Sequence, residues 1–174
     1  MVWQDPTTRQ TGDLITAAIW NQDVVDNTRH LHTRTAAFYL ALAERSSGGS
    51  AGDFRGANLR GNVTGDFVVY NGQLPVNMAT LEAVHMLGVG RDDGSILLNA
   101  EAAYGSVGEL RSAHTRAVTG LVLPFLEDQL VELDLTSLYV EAGPGDQFAV
   151  RVETASSSSQ TLVAIMLRLL CQYA

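Results

Sequence analysis

A chain of 174 residues with a formal charge of −8 is long enough for one domain with a real core plus an appendage, and its acidity opposes a surface built for DNA, RNA or an anionic membrane. All 11 basic side chains are arginine, which excludes Schiff-base chemistry, a phosphate-loop lysine and a lysine general base. The single cysteine, Cys171, leaves no partner for an intrachain disulfide or a cysteine-based zinc site and reads, in its apolar run, as a small buried hydrophobe.

The first predicted element is an amphipathic helix. Thr16 is suited to cap it, because its hydroxyl can accept from the backbone N–H of Ala18 or Ile19, with Ile15 and Trp20 as a hydrophobic staple. Trp20, Val24, Asn27, Leu31, Phe38 and Leu42 then recur along one stripe, opposite Gln22, Asp26, Arg29, His30 and Thr33. In heptad terms Val24, Leu31 and Phe38 share one core position while Trp20, Asn27, Arg34 and Ala41 share the other. Such a seam fits a short coiled coil or a helix lying on its own sheet. Asn27 and Arg34 are costly in a dry core, so the stripe is expected to meet a partly polar partner surface.

The same segment carries a resemblance. Trp3, Thr7, Thr11, Gly12, Leu14, Ile15, Thr16, Ala17, Ala18, Asn21, Asp26, Asn27 and Leu31 form a run that resembles the N-terminal segment of structural proteins from tailed bacteriophages and prophages. The resemblance stops near Leu31. It implies a virion part assembled in the host cytoplasm: a β-rich, often trimeric module of a tail fibre, a minor tail protein or a head decoration. The implied partners are further copies of the chain and virion proteins such as the major capsid or tail proteins, with a host-surface glycan as an alternative. Contact through Trp3, Trp20, Asn21, Val24, Asn27, Leu31 and Phe38 would then be the main activity.

Residues 46–52, Ser-Ser-Gly-Gly-Ser-Ala-Gly, read as a hinge or extended crossing, because such a run cannot bury a core. The glycine-rich stretch that follows, with Gly-Asp-Phe at 52–54 and again at 65–67, suggests short irregular strands. This divides the chain into an arm and helix over 1–45, a linker over 46–66 and a β body over 67–174.

Within the body, Tyr70-Asn71-Gly72-Gln73 predicts a type I′ turn, and Arg91-Asp92-Asp93-Gly94 predicts a hairpin between 86–89 and 95–98. Strands are expected over 121–125, 131–135 and 137–140. The stretch 80–85 and the stretch 100–114 admit short helices or irregular loops. Ala142 to Asp146 forms a turn into Phe148, Val150 and Val152, which alternate with Ala149, Arg151 and Glu153. Thr161 to Tyr173 closes as a long strand with Val163, Ile165, Leu167, Leu169, Cys171 and Tyr173 on one face and Leu162, Ala164, Met166, Arg168 and Leu170 on the other. Both faces are mostly apolar, which places it centrally or at a subunit interface. The pattern as a whole predicts a mainly β chain, a jelly-roll-like antiparallel β-sandwich with an N-terminal α-helix.

Chemistry is sparse. His30 and His32 point apart on a helix and cannot share a metal within one chain. Asp92 and Asp93 lack the ligand spacing of a calcium loop and fit a plain turn. Ser112, His114 and Asp134 could be assembled on paper into a triad, without any nucleophile elbow to support it. Glu127, Asp128, Glu132 and Asp134 read as the solvated face of a strand rather than a paired-carboxylate site. Tyr104 and Tyr139 read as exposed tyrosines that could stack on sugars, although core or interface packing is the commoner use. No segment reads as a signal peptide or a spanning helix, since the apolar run 162–171 is short and contains Arg168. The expectation is therefore a non-enzymatic protein without cofactor or metal that acts through contact, as the homotrimeric virion part that the resemblance implies, with a carbohydrate- or receptor-binding module as the alternative.

Overall fold

Period-two alternation governs the body of the molecule. In the computed structural model, which describes residues 16–28, 34–45, 56–155 and 158–173, strands form two antiparallel sheets whose apolar faces meet in one core. Sheet A is built from β1 (Thr35–Ala41), β3 (Ala57–Arg60), β5 (Met78–Gly90), β8 (Leu130–Asp134) and β10 (Thr161–Tyr173). Sheet B contains β2 (Glu44–Arg45), β4 (Phe67–Gln73), β6 (Gly94–Gly105), β7 (Thr115–Phe125) and β9 (Gln147–Thr154). The architecture is the jelly-roll-like β-sandwich that the alternating segments predict, with one short helix, α1 (Ala17–Trp20), ahead of it.

Sheet A runs β1-β10-β5-β8, with β3 also paired to β10, and sheet B runs β2-β4-β9-β6-β7. The long closing strand β10 is thus central, flanked by β5 on one side and by β1 and β3 on the other. Phe148, Val150 and Val152 of β9 point inward as their alternation requires. Across the sandwich they face a layer that includes Leu59, Met86, Leu162, Leu167 and Leu169.

The alternation of β10 is not continuous. Ala164 pairs with Gly88 and Met166 with Leu87, so Ile165 is one residue too many on its strand. This bulge moves inward-facing residues from the even positions Leu162 and Ala164 to the odd positions Leu167, Leu169 and Cys171. The two-face assignment expected from a regular strand is therefore corrected at Ile165. A second bulge lies between β6 and β7, where Gly120, at φ +76°, takes the left-handed conformation and its N–H donates to Asn99 Oδ1 at 3.1 Å.

Several local expectations give way to tertiary pairing. Tyr70-Asn71-Gly72-Gln73 is no turn: these residues continue β4, with Asn71 opposite Ala149 and Gly72 opposite Phe148. A side-chain-free position suits Gly72, since an added Cβ would lie 3.3 Å from Leu40 Cδ1. Residues 91–93 do bend, yet the strands they join are not a hairpin. β5 belongs to sheet A and β6 to sheet B, so the bend is a corner between sheets. Residues 137–140 turn as part of a 3₁₀ segment (Thr136–Tyr139) instead of a strand, which buries Leu138 and Tyr139 under the sandwich end. Of the undecided stretches 80–85 and 100–114, residues 80–85 and 100–105 are strand, while Arg111–His114 form a short 3₁₀ helix.

The N-terminal helix is shorter than its stripe suggests. Thr16 caps it, accepting from the N–H of Ile19 at 3.3 Å, and α1 passes into a π-helical turn over Asn21–Asp26. Phe38, expected on the helical stripe, stands on β1, paired across from Leu169. Phe38, Leu40 and Leu42 repeat at intervals of two as well as lying near helical intervals, and pairing with the apolar β10 selects the extended form. Arg34 precedes β1, its carbonyl accepting from the N–H of Tyr173 at 3.2 Å, so the heptad seam does not continue through it. The predicted Ser/Gly hinge at 46–52, Trp3, Leu31, His30 and His32 lie outside the described residues.

Candidate functional site

The outer face of sheet A gathers most of the unabsorbed chemistry. One row of residues crosses four strands: Tyr39 on β1 lies opposite Arg168 on β10, Arg168 opposite His85 on β5, and His85 opposite Asp134 on β8. In the adjacent row Ala41, Met166, Leu87 and Glu132 stand in register. Each side chain points outward because its neighbours one residue away, among them Leu167, Met86 and Leu133, fill the core.

Arg168 organises this row. Its Nη2 lies 2.7 Å from Glu132 Oε2 and 2.7 Å from His85 Nδ1. A guanidinium can only donate, so Arg168 sets its positive charge between Glu132 and His85, whose Nδ1 also lies 3.3 Å from Glu132 Oε2 and whose Nε2 faces Asp134 Oδ1 at 3.8 Å. The carboxyl of Asp134 is held below the usual carboxylate range, first by hydrogen bonding to Thr136, whose backbone N–H donates to Oδ1 at 2.9 Å. Tyr39 stands at the other end of the row, 58% exposed. Its same-face neighbours along β1 are the exposed Ala37 and Ala41, so the ring rises above small side chains.

A second cluster sits at the end of sheet B. His114 stacks on Tyr104 with ring centroids 5.2 Å apart, and its ring nitrogens lie 3.8 Å from Glu109 Oε2 and 3.8 Å from Glu141 Oε2. Arg116 completes it by pairing with Glu141 at 3.0 Å. Beside it, a cleft of about 300 Å³ opens between Tyr104, Ser106, Glu109, Leu110, Gln147 and Phe148. Ser106 and Glu109 are spent on the loop itself: the N–H of Ser106 donates to Glu109 at 2.9 Å, and the Ser106 hydroxyl donates to Asp146 at 2.8 Å. Asp146 in turn accepts from the N–H of Gly143 at 2.8 Å, so this network shapes loops more than it offers reactive groups.

The paper triad is not assembled. The imidazole beside Asp134 is that of His85, whereas His114 has Glu109 and Glu141 as its carboxylates. Asp93 accepts from the backbone N–H of Glu127 at 2.8 Å, a turn-bracing role. Among the described residues no group of three or more His, Cys, Asp or Glu is arranged to hold a metal ion. Tyr104 and Tyr139 are each only 4% exposed and are core residues, not sugar platforms. On the outer face of sheet A the exposed aromatic is Tyr39; the helical stripe through Phe38 hides it, and the period-two spacing of Phe38, Leu40 and Leu42 is the signal that identifies its face.

Of the residues expected to make contact at the N-terminus, Trp20, Asn21 and Val24 share the exposed helical segment, Trp20 being 54% and Val24 40% exposed. Asn27 is buried at 4% exposure, and Phe38 is half-buried on β1, its ring 6.2 Å from that of Tyr173. These residues therefore do not form one continuous stripe.

No protein-family model and no curated protein matches this sequence. Among solved structures, the family two carbohydrate esterase from Cellvibrio japonicus aligns at 9% identity and a TM-score of 0.45, covering 81% of this chain and 36% of the esterase chain. The CBM36-1 domain of a multidomain xylanase from the hindgut metagenome of Trinervitermes trinervoides aligns at 15% identity and 0.43, covering 78% of this chain and 96% of that one. Infectious bursal disease virus, Gx strain, aligns at 11% identity and 0.42, covering 81% and 32%. This chain spans little more than a third of the esterase chain.

Proposed function

We propose that this chain is a non-enzymatic virion protein of a tailed bacteriophage, a homotrimeric capsid decoration or tail-associated protein that attaches through its N-terminal segment. The observation that carries this reading is the state of the helix. None of the residues of α1 is buried, and Trp20 and Val24 lie four residues apart, both open to solvent. A tryptophan in that setting is an anchor awaiting a pocket. The resemblance of the same segment to phage structural proteins supplies the identity of the partner class, and the sandwich supplies a rigid body to be carried.

The mechanism is burial of apolar surface, with Asn21 beside Trp20 available to hydrogen-bond a partner and fix orientation. A head decoration would clamp neighbouring capsid subunits; a tail part would position or form a receptor binder. Light scattering is expected to give a trimer, and a Trp20→Ala/Val24→Ala variant to lose association with purified virions while keeping its β-type circular dichroism. A monomer that also fails to bind virions overturns the proposal. Particles lacking the protein distinguish the two stations: fragile heads mark a decoration, and lost adsorption with intact heads marks a tail part.

A further inference from the structure

We propose that the outer face of sheet A binds a neutral oligosaccharide, stacked on Tyr39 and hydrogen-bonded by Glu132 and Asp134. Three observations carry this. The Tyr39–Arg168–His85–Asp134 row crosses four neighbouring strands, and strands lie about 4.8 Å apart, so the row is about 14 Å long, the span of a short oligosaccharide. At one end the ring of Tyr39, 58% exposed, is flanked along its strand by Ala37 and Ala41. Beyond it, half-buried Ala83 and Leu170 of the next row leave a low apolar step. An open aromatic face beside small side chains accepts the C–H face of a pyranose.

At the other end the polar groups are held in place. Glu132 is fixed by Arg168 at 2.7 Å and Asp134 by the N–H of Thr136 at 2.9 Å. A carboxylate has about four lone-pair positions, so each retains acceptors for sugar hydroxyls, and the side chains remain 43% and 73% exposed. Preorganised acceptors lose little entropy on binding. The charge of the face selects the ligand class: the carboxylates of Glu132 and Asp134 against the one guanidinium of Arg168, on a chain of formal charge −8, repel a uronic or sialic acid and admit a neutral chain.

This site does not depend on attachment through Trp20, so the two readings fail separately. The full chain is titrated calorimetrically with neutral tri- to hexasaccharides of glucose, galactose, rhamnose and N-acetylglucosamine, and with trigalacturonate and sialyllactose as acidic probes. Binding of at least one neutral series is expected, weakened about tenfold or more by Tyr39→Ala, which removes the stacking face. Tyr39→Phe retains binding, because the ring and not the hydroxyl carries it. Asp134→Asn weakens the neutral ligand and relaxes the exclusion of acidic ones. Absence of binding across the neutral panel, binding unchanged by Tyr39→Ala, or preference for the acidic probes each overturns the proposal. A Tyr39→Ala variant that binds nothing and changes its mass by light scattering assigns the face to a second copy of the chain, which also overturns it.

Discussion

Asp66 holds Arg60 at three points: Nε donates to Oδ2 at 2.7 Å, Nη2 donates to Oδ1 at 3.1 Å, and the backbone N–H of Arg60 donates to Oδ2 at 3.3 Å. The pair ties the end of β3 in sheet A to the start of β4 in sheet B. The backbone of Asp66 is itself locked to β9, its N–H donating to Thr154 Oγ1 at 3.1 Å and its carbonyl accepting from the N–H of Thr154 at 2.8 Å. Asp66 is only 3% exposed, so the carboxylate works where water does not compete freely.

Removing that carboxylate leaves a backbone donor and a guanidinium without their acceptor. Asp66→Ala is expected to lower the melting temperature by several degrees, with Asp66→Asn intermediate because an amide keeps one acceptor oxygen. Arg60→Lys also destabilises, since an ammonium cannot reproduce the two-point fork. Thermal denaturation followed by circular dichroism checks the order; equal melting temperatures for wild type and Asp66→Ala would show that the pair does not join the sheets.

The bulge at Ile165 predicts an asymmetry between neighbours. Leu167 is fully enclosed on the inner side, so Leu167→Ala costs about 2–5 kcal/mol through lost transfer energy and the cavity left behind. Met166 is half-buried on the other side, and Met166→Ala costs clearly less. Urea titration of both variants measures the difference. A regular strand without the bulge predicts the reverse ranking, because it would place the even positions inward throughout.

Burial pushes the Cys171 thiol up to about 11 from an ordinary 9.0, with the nearby charge of Glu82 adding to the effect. The unfolded chain therefore releases this proton first as pH rises. The native state keeps its full share of stability below about 9 and loses it progressively as pH climbs towards 11. Burial raises the phenols of Tyr70 and Tyr139 as well, extending the loss further into alkali. Denaturation midpoints should be level from neutrality to about pH 9 and then fall, and Cys171 should resist a thiol reagent at pH 8 until denaturant is added. Rapid labelling of the native protein at pH 8 contradicts an enclosed thiol.

The site was partly legible. Glu132 and Asp134 alternate with core residues in their strand, so their outward direction follows from local sequence, whereas that of Arg168 depends on the bulge at Ile165. That they meet His85 and lie in line with Tyr39 does not, because the row joins strands from four distant parts of the chain. Tyr39 was obscured by an ambiguity of spacing: positions 31, 38 and 42 fit a helical stripe, while 38, 40 and 42 fit a strand. The tie is broken only by the apolar β10 that β1 pairs with.

The sequence by itself determined the class of the molecule, its capped N-terminal helix and the inward faces of regular strands such as β9, since these depend on propensity and on the two-residue period of an extended chain. It also marked the bend at 91–93 and the turn into β9. Tertiary structure decided which sheet each strand joins, where Ile165 shifts the register, and whether Asn71-Gly72 turns or continues. Those outcomes rest on hydrogen bonds and burial between residues far apart in the chain, and such pairing outweighs a local preference worth about 1 kcal/mol or less per residue.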